Sequence, residues 1–197
     1  MSDTFALLVP DEPVPVRLMN TIWADRRGVH DALVDVDDLR SWLAAVGEAT
    51  TSLPGGGRLV RADVTAFRAV RDGLRRLAAL STEDTRAAAA TDIDVEQAVA
   101  SVNDAVTRGS SWPQLSLSRG RLQRQWAGTA TPAMRSLSTI AAEAVELFTG
   151  EDRVRLRACY APGCVLYFVK NHPHREWCST ACGNRARAAR HYRRHHA

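Results

Sequence analysis

The sequence lacks the features that define several common classes of protein. No apolar run approaches the roughly 18–20 residues that a membrane span requires, and residues 5–9 are too short and lack the basic flank of a secretory signal. The first 150 residues contain no cysteine and a single histidine, His30. Neither an HExxH nor a Gly-x-Ser-x-Gly motif occurs, and Asp35, Asp37 and Asp38 are adjacent rather than paired across a cleft. We therefore expect a cytoplasmic protein with no membrane association and no enzymatic activity.

Positive charge is concentrated at the C-terminal end. The 197-residue chain has a net charge of +4, but residues 151–197 contain ten Arg or Lys residues against three acidic ones, which is +7. Residues 1–150 are left with −3. This shift predicts a body, residues 1–150, and a basic module, residues 151–197. A basic module on a mildly acidic body indicates a polyanionic partner.

All four cysteines lie in the basic module, as two close pairs separated by thirteen residues: Cys159, Cys164, Cys178 and Cys182. Two such pairs can place four thiolates around one structural zinc ion, and four thiolates with Zn²⁺ lower the module's net charge to about +5. Two disulfides are an alternative that a reducing cytosol disfavours, and an iron–sulfur cluster usually has a different spacing. His172 and His174 are possible competing ligands, although four thiolates make them unnecessary.

The order of elements around the cysteines predicts a treble-clef-like zinc finger. Pro162-Gly163 lets the first pair turn tightly. Residues 165–169 have the composition of a strand, followed by a turn at residues 171–173. The second pair has helical spacing near a helix start, where amide N–H groups favour anionic sulfur.

The segment Trp177-Cys178-Ser179, followed by Cys182-Gly183-Asn184-Arg185, resembles the signature of the CGNR zinc finger. This chain has three residues between its last two cysteines, where many members have four. Upstream segments at residues 18–21, 38–43 and 71–75 resemble landmarks of the ABATE domain, which precedes this finger in bacterial proteins. The resemblance implies a stress-linked transcription regulator whose body binds an effector or dimerises.

The residues after the last cysteine predict contact with double-stranded DNA. Arg187, Arg190 and Arg194 share one helix face as a phosphate-binding stripe, and Gly183 leaves room for the backbone to approach a phosphate. Asn184 and Arg185 have the chemistry to contact bases. Alternatively, Asn184 braces the zinc loop and Arg185 neutralises its negative charge. Two further basic residues of the module complete the candidate interface: Lys170 and Arg175.

The body predicts a mainly α (α+β) fold. The apolar spacing predicts helices at residues 37–47, 59–80, 95–106 and 132–150, and a β-hairpin at residues 112–126 in which Leu117 pairs with Leu122. Residues 1–15 are expected to form an extended arm, residues 53–57 a loop, and residues 81–91 a flexible connection. The arginines of the longest helix are expected on a solvated face. The alternative is that Arg71 or Arg75 turns into a pocket and holds a carboxylate or phosphate.

Asn20, Trp23 and Arg71 are tentative ligand-binding residues of the body. The alternative for Asn20 and Trp23 is a packed core edge.

Together these patterns predict a transcription regulator whose basic helix binds duplex DNA. A stripe of three to five phosphate contacts gives a modest salt dependence for one small module, so we expect a homodimer that presents two fingers. One alternative is an RNA-binding protein that stacks single strands on Trp177, Tyr167 or Tyr192. Another is a small-molecule-binding or enzymatic body with a purely structural zinc module.

Overall fold

The structure is a computed structural model that describes residues 11–47, 57–89, 92–110 and 112–196. Most of the predicted loop at residues 53–57 and most of the predicted arm at residues 1–15 lie outside these ranges. The helices are α1 (Val14–Met19), α2 (Val36–Gly47), α3 (Arg61–Ser81), α4 (Val95–Arg108), α5 (Pro132–Thr149) and α6 (Thr180–His196). The strands are β1 (Ile22–Asp25), β2 (Gly28–Asp31), β3 (Trp112–Ser118), β4 (Arg121–Ala127), β5 (Leu156–Ala158) and β6 (Tyr167–Val169).

The mainly helical α+β fold is confirmed. The helices α1 to α5 surround one apolar core, and the strands form three separate antiparallel pairs: β1 with β2, β3 with β4, and β5 with β6. Two short 3₁₀ helices, at Ala87–Ala89 and Glu151–Arg155, connect elements of the body and of the finger. None of the described helices combines the length and the apolar character needed to cross a bilayer.

The short helix α1 begins where the sequence predicts an extended arm. All six of its residues are buried, so the helix is held by tertiary packing rather than by its own length. Pro13 and Pro15 suit this position, because proline is tolerated in the first turn of a helix. The arm therefore ends at Pro13 within the described residues, and α1 forms one wall of the core.

The longest helix, α3, lies at the centre of the body and matches the predicted span. Its apolar stripe, which includes Val64, Phe67 and Leu74, is buried as predicted. The prediction of a solvated arginine face is wrong for two of its members. Arg71 is 2% exposed and Arg75 is 5% exposed, because both side chains turn inward to protein partners.

The predicted β-hairpin forms with the predicted register. Leu117 pairs with Leu122, and a two-residue turn connects the strands. Both turn residues, Arg119 and Gly120, have positive φ values of 49° and 72°, as a type I′ hairpin turn requires. The helix after the hairpin begins as predicted at Pro132, with the Thr131 hydroxyl accepting a hydrogen bond from the Met134 amide.

Gly109 fixes how closely the end of α4 packs on α5. A Cβ atom at this position would lie 2.0 Å from the Ser138 Cβ and 2.7 Å from the Met134 carbonyl oxygen. We expect Gly109→Ala to lower the free energy of unfolding by about 1–3 kcal/mol, because the two helices must separate. Thermal unfolding followed by circular dichroism measures the change. Gly47→Ala is the matched control, since among the described residues no atom beyond the neighbouring backbone lies within 4 Å of that Cβ position. Equal melting temperatures for the two variants would contradict the account.

Candidate metal centre and nucleic-acid interface

The first cysteine pair lies in a loop that connects two paired strands. Strand β5 pairs with β6 through Leu156 and Val169, and the Cys159 amide donates to the Leu166 carbonyl oxygen at 3.0 Å. Within the loop, the Cys164 amide donates to the Ala161 carbonyl oxygen at 2.9 Å. The short strand pair therefore holds both cysteines in a tight turn with their side chains buried.

The second cysteine pair spans the start of α6. Cys178 precedes the helix and Cys182 lies in its first turn, where the Cys182 amide donates to the Ser179 hydroxyl oxygen. Because helix N-termini carry partial positive charge, this position favours thiolates over thiols. The loop, strand pair and helix form the predicted treble-clef-like arrangement.

The four sulfur atoms form a cluster of the size that zinc requires. All four lie within 4.8 Å of one another, with 3.8 Å between Cys164 and Cys178 and 3.4 Å between Cys178 and Cys182. A tetrahedron with Zn–S bonds of about 2.3 Å has edges of about 3.8 Å. All four cysteines are free and buried, so the disulfide alternative does not apply. His172 and His174 are exposed and are not part of the cluster.

The thiols are prepared for the metal by their own hydrogen bonds. A hydrogen bond with Cys164 lowers the pKa of Cys159 to about 7, and hydrogen bonds from the other sulfurs hold the pKa of Cys182 below its ordinary value. The same contacts raise the pKa of Cys164 and Cys178. Because zinc ligands are thiolates, metal binding releases the remaining thiol protons.

Arg185 and Asn184 of the CGNR segment have local partners. The Arg185 guanidinium donates to the Cys182 sulfur at 3.0 Å, so its positive charge offsets part of the negative charge of the thiolate cluster. The Asn184 side-chain oxygen accepts a hydrogen bond from Arg187, one turn further along α6. Both residues remain exposed, so these contacts do not remove them from the surface.

Gly183 has a packing role that sequence reasoning missed. A Cβ atom there would lie 3.1 Å from the Trp177 Cδ1 atom and 3.4 Å from an Arg187 guanidinium nitrogen. The position next to Gly183 is therefore occupied by the half-buried Trp177 ring rather than open for a phosphate. Trp177 in turn packs on the buried cysteine cluster, so glycine lets the helix start approach the zinc loop closely.

The predicted nucleic-acid residues separate into two groups. Arg187, Arg190 and Arg194 are exposed on α6 and form the stripe that their spacing predicts. Arg175 instead lies inside the finger, where it donates to the carbonyl oxygens of Val169 and Cys178 and to the Glu12 carboxylate. Lys170 follows β6 and is half-buried. The structure therefore does not bring Arg175 into the exposed stripe.

Two polar side chains of the body attach the finger by pairing with strand β6. The Asn20 amide donates to the Tyr167 carbonyl oxygen and accepts from the Tyr167 amide, both at 2.9 Å. The buried Glu12 carboxylate accepts from the Val169 amide at 2.7 Å and also binds Arg175. Asn20 and Glu12 thus make hydrogen bonds to the backbone of β6 of the kind that a second neighbouring strand would make. No short-range sequence pattern indicates that role.

A second attachment comes from the segment after α3. The Arg86 guanidinium donates to the carbonyl oxygens of Cys159, Cys164 and Leu166 at 2.9–3.3 Å, while its other nitrogens bind the Asp84 carboxylate. Asp84 also accepts from the Tyr167 hydroxyl at 2.8 Å. The sequence predicts a flexible connection at residues 81–91. Within residues 81–89, the structure instead shows that Asp84 and Arg86 hold the first zinc loop, and this pair is called the clamp.

Arg75 joins the same contact from the centre of the body. Its guanidinium donates to the carbonyl oxygens of Met19, Ala88 and Val165 at 3.0–3.4 Å and lies 5.3 Å from the centre of the Tyr167 ring. Burial lowers the pKa of Arg75. Arg75 therefore connects α1, the 3₁₀ helix at Ala87–Ala89 and the finger. The finger is held by these contacts as well as by the chain that leads into it.

The three tentative ligand residues have protein partners. The side-chain nitrogen and oxygen of Asn20 both bind the Tyr167 backbone. Arg71 donates to Asp31 at 2.6 Å and to Asp72 at 2.8 Å. Trp23 on β1 is half-buried beside His30, with 4.5 Å between ring centres. One alternative from the sequence is that Arg71 turns inward and holds a carboxylate. It does so, but the carboxylates are those of Asp31 and Asp72 in the protein itself. A ligand role for these residues stays a prediction.

The Asn20 contact gives a direct test of the attachment. We expect Asn20→Ala to lower the free energy of unfolding by about 2–3 kcal/mol, because the Tyr167 amide and carbonyl groups stay buried without partners. Urea unfolding of the zinc-loaded chain measures this loss. The control is Asn171→Ala, since Asn171 is exposed and its side-chain oxygen accepts a hydrogen bond from Arg175 at the surface. An Asn20 variant as stable as that control would contradict the attachment.

These features define a class of protein: a helical body rigidly joined to a treble-clef-like zinc finger that ends in a basic helix. Comparison with family models agrees with both parts. The ABATE model, described as "Putative stress-induced transcription regulator", matches residues 12–151, and the CGNR zinc finger model matches residues 155–195. The chain belongs to the ABATE family and carries a CGNR zinc finger. No curated protein matches the chain.

The family and the geometry agree on the metal. Cys159, Cys164, Cys178 and Cys182 hold one structural zinc ion, with no open position for a substrate among the four sulfur ligands. The zinc's role is therefore to fix the first loop against the start of α6.

Proposed function

We propose that the protein is a DNA-binding transcription regulator whose finger contacts duplex DNA through the exposed arginine stripe of α6. The observation that carries the proposal is the position of Arg187, Arg190 and Arg194 on a helix anchored at its start by zinc. From Arg187 to Arg194 the helix rises about 10 Å, which spans about three base-pair steps of 3.4 Å. The proposal assigns binding, not catalysis, to the chain.

The attachment of the finger supports this function. Since Asn20, Glu12, Arg75 and Arg86 fix the zinc loop on the body, the direction of α6 is set by the body. A change in the body, such as effector binding, would therefore alter how α6 meets DNA. Two fingers in a homodimer would double the number of phosphate contacts and set the spacing between half-sites.

One observation favours single-stranded RNA as the second candidate. A groove of about 840 Å³ lies between α6 and the first zinc loop and is lined by Tyr160, Tyr192, Arg190 and Arg193. Tyr160 is 51% exposed and Tyr192 is 64% exposed, which suits stacking of unpaired bases. Of the aromatic residues that the sequence suggests for this role, Tyr167 is fully buried and is therefore excluded.

Fluorescence anisotropy with labelled duplex DNA tests the proposal. We expect Arg187→Ala/Arg190→Ala to weaken duplex binding roughly 100-fold, because two charge-assisted contacts are lost. The charge-matched control is Arg40→Ala/Arg108→Ala, which removes two exposed arginines of the body that pair locally with Asp37 and Asp104. Equal affinities for the two double variants would overturn the proposal. Stronger binding of single-stranded RNA, lost in Tyr160→Ala/Tyr192→Ala, would establish the second candidate.

A further inference from the structure

The hairpin β3–β4 is an amphipathic element that nothing in the described part of the chain covers. Alternate residues share a face, and the mainly apolar face carries Leu115, Leu117, Leu122 and Trp126 with Pro113. Arg124 lies on the same face, opposite Leu115, with its guanidinium over the Trp126 ring. The three leucines are 69–72% exposed and Trp126 is 46% exposed. The opposite face is mainly polar, with Gln114, Ser116, Gln123 and Gln125, and Trp112 lies at its end. This alternation of apolar and polar residues, interrupted at Arg124 and Trp112, is typical of a strand pair that buries one face.

The hairpin extends away from the body rather than lying on it. Both strands are exposed along almost their whole length, and seven residues of strand reach about 23 Å. An isolated two-stranded hairpin is only marginally stable in water. Its exposed leucines therefore indicate that a partner covers the apolar face.

Charge identifies the kind of partner. Residues 112–127 carry three arginines and no acidic residue, whereas the remainder of residues 1–150 has a net charge of −6. The positive charge of the hairpin is thus complementary to the negative charge of the body in a second copy of the same chain. Nucleic acid would accept the arginines, but it would leave Leu115, Leu117 and Leu122 in water.

The available area fits one arrangement of two copies. The apolar face offers roughly 400–500 Å² per hairpin, since each mostly exposed leucine contributes about 100 Å² and the tryptophan somewhat more. Two hairpins packed face to face would bury roughly 900 Å² in total, which is less than stable interfaces need, and would bring like charges together. Two hairpins that each lie on the other copy's body would bury about twice that area, within the range of a stable dimer.

We propose that β3–β4 is a dimerisation arm whose apolar face packs on the acidic body of a second copy of this chain, reciprocally. The inference deepens the homodimer of the proposed function but does not depend on DNA binding. The arm lies between α4 and α5 in the chain, and the proposed contact uses no residue of the exposed arginine stripe of α6.

Sedimentation velocity of the full zinc-loaded chain without DNA, over a wide range of concentrations, tests the arm. We expect wild type to be a dimer and Leu117→Ser/Leu122→Ser to raise the dimer dissociation constant at least about 100-fold. The matched control is Gln114→Ser/Gln125→Ser, a cross-strand pair on the opposite face of the same hairpin. This control should sediment as wild type.

Two further measurements separate loss of the interface from loss of the hairpin's own structure. Arg119→Glu/Arg121→Glu leaves the apolar face intact and should weaken the dimer about tenfold, with an effect that salt reduces. Hairpin amides should exchange more slowly with deuterium as protein concentration rises. A monomeric wild type, a leucine variant that remains dimeric, or amide exchange independent of concentration would each overturn the proposal. A leucine variant that stays dimeric but loses DNA affinity would assign the hairpin to DNA instead.

Discussion

Replacing Cys178 by serine is expected to reduce bound zinc from one ion per chain to almost none and to unfold the finger, residues 155–195. Zinc binding contributes about 10–16 kcal/mol to the folding of small zinc fingers, which is as large as the whole stability of a typical domain. The described part of the finger has only two three-residue strands and one helix, so its folding depends on the metal.

The Cys178 variant should also destabilise the body. The finger supplies the buried Tyr167, which contacts Asn20, Asp84 and Arg75, and it supplies the Val169 amide that binds Glu12. When the finger unfolds, those polar groups lose their partners. We therefore expect one cooperative thermal transition in the zinc-loaded protein and a lower melting temperature for α3 and α5 in the variant.

Zinc content by atomic spectroscopy and thermal unfolding by circular dichroism check both parts of this prediction. The control is Ser179→Ala, which removes a helix-capping oxygen beside the ligands and should cost about 1 kcal/mol while zinc stays bound. Full zinc occupancy in the Cys178→Ser protein would show that Cys178 is not a ligand. A body that melts unchanged would show that the two parts fold independently.

Arg86→Met should cause the second largest loss, about 3–5 kcal/mol in the free energy of unfolding. The Arg86 side chain is 12% exposed and the side chain of its partner Asp84 is fully buried, so the substitution leaves a buried carboxylate without its cation. The carbonyl oxygens of Cys159, Cys164 and Leu166 lose the same donor. Urea unfolding measures the loss, and Arg61→Met on the exposed start of α3 is the control.

The clamp also predicts a pH dependence. Burial opposes ionisation of Asp84, but hydrogen bonds from Arg86 and Tyr167 outweigh it and hold the pKa of Asp84 below its usual 3.8. A carboxyl group with a lowered pKa stabilises the folded state above its unfolded pKa. This contribution is lost as the pH falls through the folded pKa. The stability difference between wild type and Arg86→Met should therefore shrink below about pH 4; a constant difference down to pH 2 would assign the effect to packing alone.

The elements that the sequence predicts correctly depend on local patterns. The span of α3 follows from helical periodicity, the Leu117–Leu122 register follows from the Arg119-Gly120 turn, and the metal site follows from cysteine spacing. Each of these signals lies within a few turns of helix or one hairpin.

The contacts that join the finger to the body have no local signal. Asn20 and Tyr167 are 147 residues apart, and Glu12 and Val169 are 157 residues apart. Asp84 and Arg86 lie in the segment for which the sequence predicts a flexible connection, yet Arg86 contacts the zinc loop more than 70 residues away. An arginine that donates to backbone carbonyls has no acidic partner in the sequence to reveal it, as Arg75 shows.

The salt dependence of duplex DNA binding tests the central claim most directly. Each phosphate contact adds about 0.9 to the slope of log affinity against log salt, so three to five contacts give a slope of about −3 to −4.5 for each finger. We predict that Arg187→Ala/Arg190→Ala reduces the magnitude of the slope by about two units, while Arg40→Ala/Arg108→Ala leaves it almost unchanged. Equal reductions of the slope in both double variants would mean that DNA binding depends only on the net charge of the protein. In that case α6 would not be the DNA-binding surface.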